Sequence, residues 1–145
     1  MECFKTFRKA PPSQLIMTLL VKNEESMLEE NLLFHKAMGV DSFIITDNNS
    51  TDSTPEIIRK YKQKGWIKEV IEEKATDYEQ KEWVDRMIWK AKTIYKADWI
   101  INADADELWY SPSGNLKTDL SATHANELRN EKRLSGREPA FLAVG

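Results

Sequence analysis

From Leu15 to Val21 every position but Thr18 is apolar, the pattern of a strand buried on both faces of a parallel sheet. Ser26 to Met38 changes to helical spacing, with Leu28, Leu32 and Leu33 among its apolar positions and Gly39 placed to stop it. Phe43-Ile44-Ile45 reads as a second, short strand, closed by the polar run Asp47-Asn48-Asn49-Ser50-Thr51-Asp52. Ser53 and Glu56 have the spacing of a capping box. Pro55 falls in the first turn of the next helix, which is expected to reach Lys64 and end at Gly65. Trp66 to Ile71 gives a third strand and Asp98 to Asn102 a fourth. Between them Glu79 to Tyr95 is amphipathic, because Val84, Met87, Ile88, Ala91, Ile94 and Tyr95 recur at helical spacing. Trp83 and Trp89 on that helix are read as packing residues.

The alternation of strands and helices implies an α/β domain with a mainly parallel sheet, right-handed crossovers and helices on both faces, hence three α/β/α layers. Beyond Tyr110 the pattern is less regular. Ser111-Pro112-Ser113-Gly114 is a turn, a helix is expected within Leu116 to Arg129, and Phe141-Leu142-Ala143-Val144 begins another strand. A strand opening at the C-terminus leads us to expect a truncated chain.

Net charge is −3, which argues against a general nucleic-acid binder. The single cysteine, Cys3, excludes a disulfide within the chain and suits a reducing compartment. No apolar stretch reaches the roughly 18–20 residues of a membrane helix. Residues 1–12 carry Lys5, Arg8 and Lys9 without the apolar centre of a signal peptide. The expected location is therefore cytoplasmic, with peripheral attachment at the inner face of a membrane as an alternative.

In an open parallel sheet, ligands bind outside the carboxyl ends of the strands. Three of the four expected strands end in polar residues there: Lys22-Asn23-Glu24, Asp47-Asn48-Asn49 and Asp104-Ala105-Asp106. In an extended segment Asp104 and Asp106 would face the same way, and two converging carboxylates repel unless a cation lies between them. Oxygen-only ligands suit Mg2+ or Mn2+, which complete their shell with water and substrate phosphate. Neither G-x-x-x-x-G-K-[ST] nor G-x-G-x-x-G is present, and with five glycines a glycine-lined phosphate cradle is not expected. Asp47 could accept hydrogen bonds from a base N–H or a ribose hydroxyl.

Val21-Lys22-Asn23-Glu24, the stretch from Gly39-Val40 through Thr46-Asp47-Asn48-Asn49-Ser50-Thr51-Asp52, and Asp98 through Asp104-Ala105-Asp106-Glu107 together resemble family 2 glycosyltransferases of the GT-A (nucleotide-diphospho-sugar transferase) fold. The resemblance runs from about Leu15 to Leu120. It implies a transferase that moves a sugar from a UDP- or GDP-sugar donor to the hydroxyl of a saccharide or other acceptor, with Mn2+ or Mg2+ on the diphosphate. It places Lys22, Asn23, Glu24, Asp47, Asn49, Arg86 and Asp104 at the nucleotide-sugar, and Asp104 and Asp106 at the metal. On this reading residues 1–14 are a tail, 15–120 the nucleotide-sugar-binding domain, and 121–145 the start of a truncated acceptor-side region. Leu20 and Val21 stand where the family often has polar nucleotide contacts. The family's acceptor half and its carboxylate base lie beyond the D-x-D. An inverting transfer needs such a base, and the tail offers Asp119, Glu127, Glu131 and Glu138, none singled out as catalytic.

Several residues have plainer readings. Glu107 either supports the metal pair or is a turn residue, and His35 could reach the rim but reads more simply as packed or exposed on its helix. Trp109 and Tyr110 either stack on a sugar or cover the core edge. Arg86 has Glu82 four residues before it as an ion-pair partner, Asp98 reads as structural, and Arg59, Lys60, Lys62 and Lys64 as solvated charges. The rival functions are a sugar-phosphate nucleotidyltransferase, an aspartyl phosphatase and a non-catalytic relative that binds a nucleotide-sugar or partner. A nucleotidyltransferase would favour a glycine-rich basic loop where Lys22-Asn23-Glu24-Glu25 stands. In an aspartyl phosphatase the D-x-D usually comes after the first strand.

Overall fold

The structure, a computed structural model, describes residues 13–122 and 142–144. Cys3, the basic residues of the N-terminal tail, Glu127, Glu131, Glu138, Phe141 and the expected helix beyond residue 122 lie outside the described residues.

Five strands form one sheet: β1 (Leu15–Val21), β2 (Ser42–Asn48), β3 (Ile67–Glu73), β4 (Trp99–Ala103) and β5 (Leu142–Val144), in the order β3-β2-β1-β4-β5. The first four pair in parallel and β5 pairs antiparallel with β4. Among the described residues four helices connect or follow them: α1 (Leu28–Ala37), α2 (Thr54–Gln63), α3 (Gln80–Thr93) and α4 (Leu116–Ala122). None is long and apolar enough to cross a membrane.

Alternation along β1 builds both layers of the core. Leu15, Met17, Leu19 and Val21 pack with Leu28 and Leu32 of α1, Ile58 and Tyr61 of α2, and Leu116 and Leu120 of α4. Ile16 joins Ile44, Ile100, Met87 and Ala91 on the opposite face, beneath α3. The chain moves from β1 to β2 to β3, then crosses back over β1 to β4. Reversing direction across the sheet moves a right-handed crossover helix to the other face, which accounts for α3 lying opposite α1 and α2.

Local boundaries reflect residue chemistry. Gly39 adopts φ +101°, and a Cβ there would stand 2.7 Å from the Asn115 Oδ1 atom, so only glycine fits this helix end. The capping box is not formed, because Ser53 makes no side-chain cap. Asp52 Oδ1 instead accepts the Thr54 N–H (2.8 Å), and Glu25 Oε1 accepts the Ser53 N–H (2.8 Å). Glu25 thus takes the Ser53 N–H that Glu56 was expected to accept, and the Glu56 N–H donates to the Ser53 carbonyl (3.1 Å) rather than to its side chain. β3 carries a bulge: Phe43 pairs with Ile67 but Ile44 with Glu69, leaving Lys68 extra. The inserted residue reverses the facing of the rest of the strand. Glu69 thus meets Lys90 (2.8 Å) and the Tyr95 hydroxyl (2.8 Å).

Three expected packing positions lie on outer faces. Trp89 is 60% exposed, Ile94 50% and Leu33 48%, while Trp83 is buried. A helix needs only one stripe of its surface for the core, and these residues fall outside it.

Replacing Leu19, wholly buried in the first core layer, by alanine is expected to cost about 2–5 kcal/mol of stability. Trp89→Ala is expected to change it by less than about 0.5 kcal/mol. Urea unfolding midpoints at constant slope measure both; equal losses would contradict this packing.

Candidate functional site

The strand register sets the height of each polar group. Val21 lies beside Asp47 and Leu19 beside Ala103, so Lys22, Asn48 and Asp104 leave the sheet at one edge. Between β1 and β4 the chain order reverses, the position where open α/β sheets form a ligand crevice. A hollow of about 480 Å3 opens there, lined by Val21, Lys22, Glu24, Asp104 and Asp106, with Tyr78 and Gln80 closing the α3 side.

Three carboxylates meet in this hollow. Burial, and then the charges of Asp106, Asp104 and Asp52, push the Glu24 carboxyl above its ordinary range. Asp104 and Asp106 do not sit on an extended segment as expected. β4 ends at Ala103, and residues 104–107 form a tight turn in which the Glu107 N–H donates to the Asp104 carbonyl (3.0 Å). Ala105 is buried while both aspartates stay half-exposed, so the turn still presents them to the same hollow. The donor set is all oxygen and includes two carboxylates on one short turn, which fits Mg2+ or Mn2+ better than a softer ion. Among the described residues no three side chains of His, Cys, Asp or Glu form a ready metal cage. A cation held there would therefore draw further ligands from water and phosphate, as Mg2+ does.

The turn is braced from beneath. Glu107, 7% exposed, accepts the Asp104 N–H on Oε1 (2.9 Å). Asn31 of α1, fully buried, donates from Nδ2 to the carbonyls of Asp104 (3.3 Å), Ala105 (3.0 Å) and Glu107 (3.0 Å). His35, one turn further along α1, lies 3.1 Å from Asn31 Oδ1 through Nδ1, and its Nε2 accepts the Trp109 N–H (2.8 Å). An accepting Nε2 carries no proton, so the neutral ring holds its proton on Nδ1 and donates it to Asn31. Burial lowers the His35 pKa to about 4. Trp109 itself is in the core, whereas Tyr110 is exposed. Asn31, Tyr78 and Gln80 carried no signal in the sequence beyond being polar or aromatic on a helix or loop.

The other expected site residues divide. Lys22 stands exposed at the mouth of the hollow. Asn23 joins two loops: its Oδ1 accepts the Thr51 N–H (2.7 Å) and its own N–H donates to Ser50 Oγ (2.9 Å). Asn49 Nδ2 donates to the Lys74 carbonyl (3.2 Å), and Asn48 Nδ2 to those of Glu73 and Ala75 (3.1 Å each). Asp47 accepts the Ser50 hydroxyl (2.5 Å) on Oδ1 and faces a second hollow, of about 430 Å3, between β2, β3 and α2. Side chains alternate along β2, so Asp47 and Asn48 open onto different hollows at the same edge. Arg86 pairs with Glu73 at the end of β3 (2.8 Å) in place of Glu82, and that hydrogen bond lowers the Glu73 carboxyl pKa. Asp98 Oδ2 accepts the Gln14 N–H (2.7 Å) at the far end of the sheet, a structural role as expected. Asp119 accepts the Ser111 hydroxyl and does not line the carboxylate hollow.

The chain is a mainly parallel α/β domain with carboxylates in its switch-point crevice, and its fold matches that of GT-A glycosyltransferases. The family model described as Glycosyltransferase family 92 matches residues 17–136, and the chain belongs to that family. Family 92 is distinct from family 2, so the motif resemblance extends to the fold and not to family membership. No curated protein matches the chain. Among solved structures, residues 1–349 of S. aureus TarS superpose with a TM-score of 0.60 at 17% identity, over 74% of this chain and 31% of that one. The same protein in complex with UDP gives 0.59 at 18% identity, over 75% and 31%. The mannosyltransferase PcManGT from Pyrobaculum calidifontis, in complex with GDP-Man and Mn2+, gives 0.52 at 18% identity, over 76% and 34%. The chain thus spans about a third of the length of these structures.

Because the folded pKa of His35 lies below the unfolded value of about 6.5, the unfolded chain binds the extra proton between pH 6.5 and 4. Stability contributed by the neutral ring is complete above pH 6.5 and falls as pH drops toward 4. From pH 7 to pH 5 the wild-type chain is expected to lose about 2 kcal/mol that His35→Gln does not. Urea unfolding of both at the two pH values measures this; a constant difference between them would contradict a neutral buried ring.

Proposed function

We propose that the chain is the donor-binding part of a glycosyltransferase that moves a sugar from a UDP- or GDP-sugar to an acceptor hydroxyl. The observation that carries this reading is the meeting of Asp104, Asp106 and Glu24 in the crevice between β1 and β4. Family membership supports it, as do the UDP and the GDP-Man with Mn2+ bound by TarS and PcManGT.

In this reading Asp104 and Asp106 would hold a divalent cation, Mn2+ or Mg2+, whose positive charge would offset that of a nucleoside diphosphate leaving group. Lys22 adds a solvated positive charge at the mouth of the same hollow. The nucleoside lies across the sheet edge toward Asp47, whose second carboxylate oxygen accepts from the base or ribose. In the reaction the acceptor oxygen attacks the anomeric carbon and the bond from that carbon to the diphosphate breaks. The acceptor proton leaves to a base. Asp119, already engaged by Ser111 and away from the hollow, is a poor choice for that base. A cytoplasmic setting suits a chain with one cysteine.

Titration calorimetry with UDP and GDP is expected to show binding in Mn2+ and none in EDTA; equal affinity in both would remove the metal from the reading. Asp106→Ala should abolish metal-dependent binding. Asp47→Ala should weaken it by about 1.5–3 kcal/mol, the scale of a hydrogen bond to a charged group, with the metal requirement intact. If instead Asp47→Ala removed the metal requirement and Asp106→Ala kept it, the two roles would be exchanged.

A further inference from the structure

Asn31 and His35 occupy the inner stripe of α1, one turn apart, and neither exposes any surface. A leucine at either place would leave the buried Trp109 N–H without its acceptor, or the carbonyls of Asp104, Ala105 and Glu107 without their amide donor. Burying an amide and an imidazole is tolerated only when both are hydrogen-bonded, and here every bond leads toward the D-x-D turn. The Trp109 N–H fixes which nitrogen of His35 is bare, and the proton on the other nitrogen fixes which way the Asn31 amide points. That orientation sends the NH2 group to the carbonyls of Asp104, Ala105 and Glu107. Two amide protons serve three carbonyls, so they draw the backbone of the turn around one point. The opposing force is mutual repulsion among Asp104, Asp106 and Glu24, which an unbraced turn would relieve by opening.

We propose that Asn31 and His35 are positioning residues that hold the Asp104–Glu107 turn closed, so that its two aspartates converge before any cation binds. Asn31 acts on the turn directly, and His35 acts through Asn31 by preventing the amide from flipping. The inference rests on the metal reading of the hollow. It adds that affinity for the ion is set from the core side of α1, by side chains that never touch it.

The test compares the wild-type 145-residue chain with His35→Leu, His35→Gln and Asn31→Ala. Mn2+ affinity is read by electron paramagnetic resonance of the free ion. Hydrogen exchange is followed at the amides of Asp104 and Glu107, with those of Leu19 and Ile45 as sheet controls. His35→Leu and Asn31→Ala are expected to weaken Mn2+ binding at least tenfold and to speed exchange in the turn with the sheet amides unchanged. His35→Gln, which keeps a donor and an acceptor, should restore most of both. Asn31→Ala serves as an independent variant should His35→Leu fail to fold. Wild-type binding with unaltered affinity and exchange in the folded variants would overturn the proposal and leave the metal reading standing. A wild-type chain that binds no Mn2+ would overturn the metal reading. The exchange data then decide the brace alone: faster exchange in the turn supports it, and unchanged exchange overturns it.

Discussion

The structure depends on the pairing of β1 with β2 on one side and β4 on the other. Both faces of this strand are buried, so its register cannot slip by one residue without moving Leu15, Met17, Leu19 and Val21 from one core layer to the other. Holding that register fixes the level at which β2 and β4 end, and with it the height of Asp47 and Asp104. It also requires the β3-to-β4 connection to pass over the sheet, which puts α3 on its own face and leaves a crevice where the strand order reverses. The site is therefore a by-product of how one strand is buried.

That crevice gathers like charges, and the surrounding polar residues separate into those that face it and those that hold its walls. Asn23 ties the loop after β1 to the loop after β2. Asn48 and Asn49 tie the end of β2 to the segment after β3. Asn31 secures the turn after β4 from below. In each case a side-chain amide satisfies main-chain groups that irregular loops leave without partners. Rigid walls let charged groups sit closer together than mobile loops would allow.

The four parallel strands, the helix stops at Gly39 and Gly65, and the polar edge shared by three strands were legible because hydrophobic period and strand order determine them. The role of Asn31 and His35 was not. A polar residue on a helix has the same local signature whether it meets water or a distant backbone carbonyl, and only the tertiary contact with residues 104–109 distinguishes the two. The same gap explains Leu33 and Trp89, apolar residues for which the stripe chosen by the core left no place. Arg86 found Glu73 across the fold, a partner that helix spacing to Glu82 does not reveal. The alternation argument brought Asp104 and Asp106 to one hollow, although the turn that places them is not extended. Asp47 and Asn48, grouped at one strand end by the sequence reading, open onto different hollows because side chains alternate along β2.

The bulge at Lys68 also bears on how readily β3 could pair with another strand. β3 is an edge of the sheet, and a straight edge strand offers unpaired main-chain groups to any other strand that approaches. The extra residue bends and twists this one, and Lys68, Glu69, Glu72 and Glu73 crowd its length with charge. A second copy trying to extend the sheet there would meet a broken hydrogen-bond ladder and ionised side chains in the way. The irregularity that complicates reading the strand thus makes this edge a poor template for another strand.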